Sequence, residues 1–135
     1  MRLSAMLLPA ILAAAVSATA FAATPDASVK RNLEAKGTPF TIDSDGDYKI
    51  TVNFKDEGRT QLVFVRSVVE TYGKHRVREI WSYGYRGDKD QFSPLIANRL
   101  LEASNRMILG SWVKQDKGYA TFVVKIPADA SSAAW

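Results

Sequence analysis

The alternation of apolar and polar residues is clearest over residues 48–54, where Tyr48, Ile50, Val52 and Phe54 are separated by Lys49, Thr51 and Asn53. A period of two sends successive side chains to opposite faces of a strand. Phe40-Thr41-Ile42 and then Ser44-Asp45-Gly46-Asp47 precede this segment, so the pair reads as a β-hairpin closed by an Asp-Gly turn. Asp56-Glu57-Gly58 supplies a second turn, and residues 61–69 form a third strand apolar enough to be central. Gly73-Lys74 permits another turn before a fourth strand over 76–85, rich in aromatic and branched side chains.

Helical spacing occurs twice. Residues 25–36 read as a helix capped by Asp26, with Val29 and Leu33 four apart on one face and Gly37 as the stop. After a polar loop at 87–91, Ser93-Pro94 opens a second helix with Ser at the cap and Pro at the first helical position. Ile96, Leu100, Ala103 and Met107 form one stripe along it, expected to be buried. Strands over 108–114 and 119–126 follow, joined by a turn at 115–118. From Pro127 the chain is small and polar except for Trp135, which predicts a loose tail over 128–135. The order α-β-β-β-β-α-β-β predicts a single α+β domain over 23–127. Its expected form is an antiparallel sheet of five to six strands with two helices packed on one face.

The N-terminal segment changes the picture. Arg2 is the only charge before Asp26, residues 5–16 are continuously apolar, and Ala20-Phe21-Ala22 fits the small-x-small pattern of a signal-peptidase site. Residues 1–22 therefore read as a secretory signal peptide cleaved after Ala22, with Ala18-Thr19-Ala20 as the second choice. A spanning helix needs roughly 20 apolar residues, more than this run supplies, and no later stretch is long enough. No membrane span is expected, and the localisation read from the sequence is periplasmic or secreted. No cysteine occurs, which rules out disulfides, thiolate catalysis, zinc ribbons, iron–sulfur clusters and a lipoprotein anchor. Arg2 accounts for one of the four net positive charges of the chain. The remainder is mildly basic and scattered, without the concentrated patch of a nucleic-acid binder. Weak attraction to anionic lipid or cell-wall polymer is compatible with it.

Candidate chemistry is sparse. Asp43, Asp45 and Asp47 resemble the start of a calcium loop, but the sixth and twelfth positions hold Tyr48 and Phe54 instead of Gly and Glu. A hairpin turn is the preferred reading. His75 is the single histidine, flanked by Lys74 and Arg76, and reads as a solvated turn residue. Glu70, Glu79 and Glu102 are acid–base candidates, yet spacing selects no pair among them. Arg86-Gly87-Asp88 reads as ordinary loop chemistry. The glycines sit at turns and element ends, with no phosphate-cradling loop. Trp81, Tyr83 and Tyr85 share one face of the fourth strand if alternation holds, and with Trp112 and Tyr119 they are expected either in the core under a helix or on a recognition surface. Arg76, Arg78, Arg99 and Arg106 are candidates to rim a groove for an anionic partner, although a solvated face is the preferred reading. The candidate partner-binding set is thus Trp81, Tyr83, Tyr85, Arg76 and Arg78, with no catalytic, cofactor or metal residues assigned.

The helix ending in Lys36-Gly37, the hairpin at Asp45-Gly46 and the strand Gln61-Leu62-Val63-Phe64-Val65 together resemble YbjN-type bacterial proteins, the sensory transduction regulators that share the fold of type III secretion chaperones. So do Leu100-Leu101-Glu102-Ala103-Ser104-Asn105, running into Gly110-Ser111-Trp112, and the final hairpin to Pro127. The resemblance spans roughly residues 26–127 and implies a non-enzymatic α+β module that binds other proteins, often as a dimer. It transfers no functional residues. The expected function is an exported, non-enzymatic protein-binding or chaperone-like module with a protein partner, a homodimer among the expected assemblies, and no nucleic acid or cofactor. The alternatives are a carrier of a small amphiphile and a carboxylate-using envelope hydrolase. Mass spectrometry of the protein recovered from the cell envelope should find Ala23 at its N-terminus; a product retaining residues 1–22 would remove the export reading.

Overall fold

The computed structural model describes residues 23–131; the signal-peptide assignment and Trp135 lie outside the described residues. Helix α1 spans Ala27–Ala35, and Asp26 caps it by accepting from the Ser28 amide at 2.7 Å. Strands β1 (Thr41–Ile42), β2 (Tyr48–Phe54), β3 (Arg59–Tyr72) and β4 (His75–Arg86) follow as a meander. Helix α2 spans Pro94–Asn105, with the Ser93 hydroxyl accepting from the Ile96 amide. Strands β5 (Ser111–Lys114) and β6 (Tyr119–Pro127) complete the fold. All six strands form one antiparallel sheet in the order β1-β2-β3-β4-β6-β5. The last strand therefore enters between β4 and β5, and β1 and β5 are the edges. Among the described residues, no helix is long and apolar enough to cross a membrane.

The core lies where α1 meets the sheet. Val29 and Leu33 are buried against Tyr48 and Val65, with Phe40, Ile50 and Ile80 packed around them. The register sets the faces. Tyr48 opposes Val65, Val65 opposes Ile80, and Ile80 opposes Val124, so these residues share the α1 side of the pleat.

Three expectations are corrected. The fifth strand begins at Ser111, not at 108, and Ile108 is fully exposed. Helix α2 has no fully buried side chain: Ile96, Leu100 and Ala103 are half-buried, while Met107 lies beyond the helix and is exposed. The cause is its partner. α2 packs along β5, a four-residue edge strand too short to cover a whole helical stripe. Finally, the segment after Pro127 is tied down at its start, because Ala128 is buried and its amide donates to the Arg76 carbonyl at 2.9 Å.

A polar network fixes α1 on the sheet. Arg78 of β4 is 1% exposed, and its guanidinium pairs with the Asp26 carboxylate and donates to the Arg66 and Ser67 carbonyls. These carbonyls sit where β3 is bulged between Val65 and Val69. The Ser67 hydroxyl donates to the Gly46 carbonyl and accepts from the Asp26 amide, while the Ser67 amide donates to Asp47. The Tyr48 phenol donates to the Asp26 carbonyl at 2.9 Å. Burial raises the phenol's pKa, with the Asp26 charge adding to the effect, and so keeps the donor protonated.

Partial burial alone would raise the Asp26 carboxyl. Hydrogen bonds from the Ser28 hydroxyl, Arg78 and the Ser28 amide, with the Arg78 charge, outweigh it and hold the pKa at about 2 instead of 3.8. Because the folded-state pKa is depressed, this stabilisation is complete above pH 4 and lost as pH falls toward 2. Its size is about 2 kcal/mol. Urea titrations should show Asp26→Asn abolishing that part of the acid dependence. Arg78→Ala should cost about 3 kcal/mol at neutral pH by stranding the carboxylate and opening a hole.

Candidate functional site

The face of the sheet opposite α1 carries an aromatic row. On β4 the odd positions Glu79, Trp81 and Tyr83 point to this face, and the even positions Arg76, Arg78, Ile80 and Ser82 to the α1 face. Phe64 of β3 opposes Trp81, and their rings stack at 4.2 Å and 10°. Tyr83 meets Trp81 edge-on at 4.9 Å, and Tyr119 of β6 lies 5.1 Å from Tyr83. Arg86 sits 5.0 Å above the Tyr119 ring. Phe64 is buried beneath, Trp81 and Tyr119 are half-buried, and Tyr83 is 43% exposed.

Trp81, Tyr83 and Tyr119 floor an open groove of about 890 Å3, with Phe64 buried behind Trp81. Its lips come from opposite edges of the sheet. The β1–β2 turn contributes Ser44, Asp45 and Asp47, and the β5–β6 turn contributes Gln115, Asp116 and Lys117. Arg66 and Val68 reach it from the β3 bulge. Asp47 is matched by Arg66 at 4.0 Å and Glu79 by Lys125 at 3.9 Å, which leaves Asp45 on one lip, and Asp116 and Lys117 on the other, without an ion-pair partner among the described residues. The lips are rigid. The Asp43 carboxylate accepts from the Asp45 and Asp47 amides at 3.0 Å, and Gln115 donates to the Thr121 hydroxyl at 3.4 Å.

Of the residues singled out from the sequence, Trp81 and Tyr83 belong to the groove and Tyr85 does not. The register slips by one residue between Tyr83 and Tyr85, so Tyr85 opposes Ala120 and packs on Phe92, while Arg86 takes the next place in the row. The extra residue is Gly84, where a Cβ would lie 2.1 Å from the Trp112 ring. Trp112 packs against Phe122 on the other side of the sheet, away from the aromatic row. Arg78 cannot rim a groove because it is buried under α1, and Arg76 is exposed on that same side. Arg99 and Arg106 belong to α2 and its cap, outside the groove.

The remaining candidates stay apart. Glu70 lies 3.9 Å from Arg66, Glu102 is exposed on α2, and Glu79 alone of the three lines the groove. His75 opens β4 in an exposed position. Among the described residues no group of three or more acidic or imidazole side chains is placed to hold a metal ion. Phe64, Arg66, Asp116 and Lys117 were not anticipated as site residues. Phe64 had a usable signal, since it alternates with Val63 and Val65 and so faces away from the core to which Val65 belongs.

No protein-family model, curated protein or solved structure matches this chain.

The two central rings differ in what they support. Trp81→Ala should cost about 2 kcal/mol in chemical denaturation because it unstacks Phe64. Tyr83→Ala should cost less than about 1 kcal/mol, as expected of a surface ring.

Proposed function

We propose that this protein is an exported, non-enzymatic binding module that holds an extended segment of a partner protein in the groove on its open sheet face. The observation that carries the reading is the half-exposed Trp81–Tyr83–Tyr119 row, which no helix among the described residues covers. Partly exposed Trp and Tyr in a rigid setting are the residue types that anchor protein interfaces, since they offer much contact area with little rotamer freedom to lose.

The size of the groove supports a chain segment. It crosses β3, β4 and β6 between the two edge hairpins. At about 4.8 Å per strand this is roughly 15–20 Å, the length of five or six extended residues. Asp45 on one lip favours a segment with an apolar or aromatic anchor and a basic flank at that end, while Asp116 beside Lys117 on the other favours a polar one. The resemblance to YbjN-type proteins and secretion chaperones points to the same class of activity and is part of this proposal, as are the periplasmic or secreted location and the homodimer.

A second reading is favoured by the groove volume, which falls within the range of small-ligand sites, roughly 300–1,000 Å3. A carrier of a small amphiphile would use the same rings. An open groove leaves much of such a ligand in water, which favours the chain segment.

Affinity capture from envelope extract, with mass spectrometry of proteins and small molecules, distinguishes the two. The tagged protein should retain a reproducible protein partner that Tyr83→Ala combined with Asp116→Asn loses. Retention of a lipid or metabolite instead would transfer the groove to the carrier reading, and an unchanged partner set would remove the groove from the function.

A further inference from the structure

A separate surface lies at the end of α2. Met107, Ile108 and Leu109 follow one another between the helix and β5, and they are 48%, 100% and 61% exposed. Leu95 and Leu101 on the helix are 61% and 66% exposed. Three consecutive large apolar side chains in water mark an interaction surface, while Leu95 lies at the far end of the helix. None of these five lines the groove.

The tip is braced. The Met107 amide donates to the Ser104 carbonyl at 3.1 Å, and the Ser104 hydroxyl accepts from the Trp112 amide at 2.9 Å while donating to the Leu100 carbonyl. Gly110 turns the chain at φ +84°, where a Cβ would lie 2.7 Å from the Val123 carbonyl oxygen. The apex is thus held outward from both ends.

Two arginines lead into it. Leu95, Arg99 and Arg106 fall at i, i+4 and i+11, one flank of α2 that leads into the tip. Both arginines are exposed, and neither meets a carboxylate among the described residues. Glu102, the one acid of the helix, falls at i+7 on the same flank and offsets one of the two positive charges. An exposed apolar tip with guanidinium groups beside it matches a lipid leaflet with anionic headgroups. Apolar side chains enter the acyl boundary, and each guanidinium can hold a phosphate through paired hydrogen bonds.

We propose that the Met107–Ile108–Leu109 tip, with Arg99 and Arg106, attaches this protein peripherally to an anionic phospholipid surface. Attachment at the tip leaves the groove open, and the inference does not depend on what the groove binds.

The chain has no cysteine, so Ile108→Cys creates a unique position for an environment-sensitive dye. Protein purified from cells expressing the full chain is mixed with phosphatidylcholine vesicles with or without phosphatidylglycerol. Dye at position 108 should shift to the blue with the anionic vesicles, while dye placed by Thr60→Cys, exposed on β3, should not. Co-sedimentation should fall about ten-fold for Ile108→Asp with Leu109→Asp. It should fall several-fold for Arg99→Gln with Arg106→Gln, which should also lose the preference for phosphatidylglycerol. Thermal melts of these variants should match the parent, because the altered side chains are exposed. An unshifted dye at 108, or charge-reversed variants that bind as the parent does, would overturn the proposal. So would a dimer of the parent that the Asp substitutions dissociate, since a second copy would then cover the tip.

Discussion

The Arg78–Asp26 ion pair is the constraint through which helix and sheet find each other. Helix α1 commits only Val29 and Leu33 fully to the core, and two apolar side chains could settle over a twisted sheet in more than one way. Asp26 removes the freedom. Its carboxylate caps the helix and receives Arg78, its carbonyl accepts from Tyr48, and its amide donates to Ser67. One residue thus joins α1 to β2, β3 and β4. The Nε atom of Arg78 is buried without a partner, a residual cost of placing a guanidinium there. A buried pair of this kind adds little net stability over an apolar replacement; here it supplies geometry.

How far this was legible from the sequence depends on the range of the interactions. Asp26, Ser93 and the Asp45-Gly46 turn act within a few residues, and each was readable. So were the element order and antiparallel pairing, because alternation and tight turns are local. Arg78 was not. Its neighbours on β4 include Arg76 and Glu79, which resemble a solvated edge, and the reason for its burial lies 52 residues away at Asp26. Tyr85 was misplaced for another reason, because the alternation that seated Trp81 and Tyr83 correctly is interrupted at Gly84 by a ring from β5. Sequence periodicity also cannot say which face of a sheet the helices choose, so the aromatic row could be described but not assigned to core or surface.

The two unspent surfaces have a common origin in how little the helices cover. Helix α1 is nine residues long and sits near β2 and β3, while α2 is drawn to the edge at β5. Nothing among the described residues is left for the opposite face, so its rings pack on one another. The cation over Tyr119 and the polar lips then limit their contact with water.

The position of β6 bears on how the molecule comes into being. β6 is the last strand among the described residues, yet it pairs with both β4 and β5, and among those residues β5 has no other partner in the sheet. A chain delivered N-terminus first can assemble α1 and the β1–β4 meander early, but β4 keeps an unpaired edge until residues 119–127 arrive. Such an edge is a template for wrong pairing, and closing it requires a contact distant in sequence, which is slow to form. The delay has a compensating property. A chain whose sheet cannot close until that strand appears stays unlocked for nearly the whole of its synthesis, so that pairings made wrongly in the meantime can still be undone.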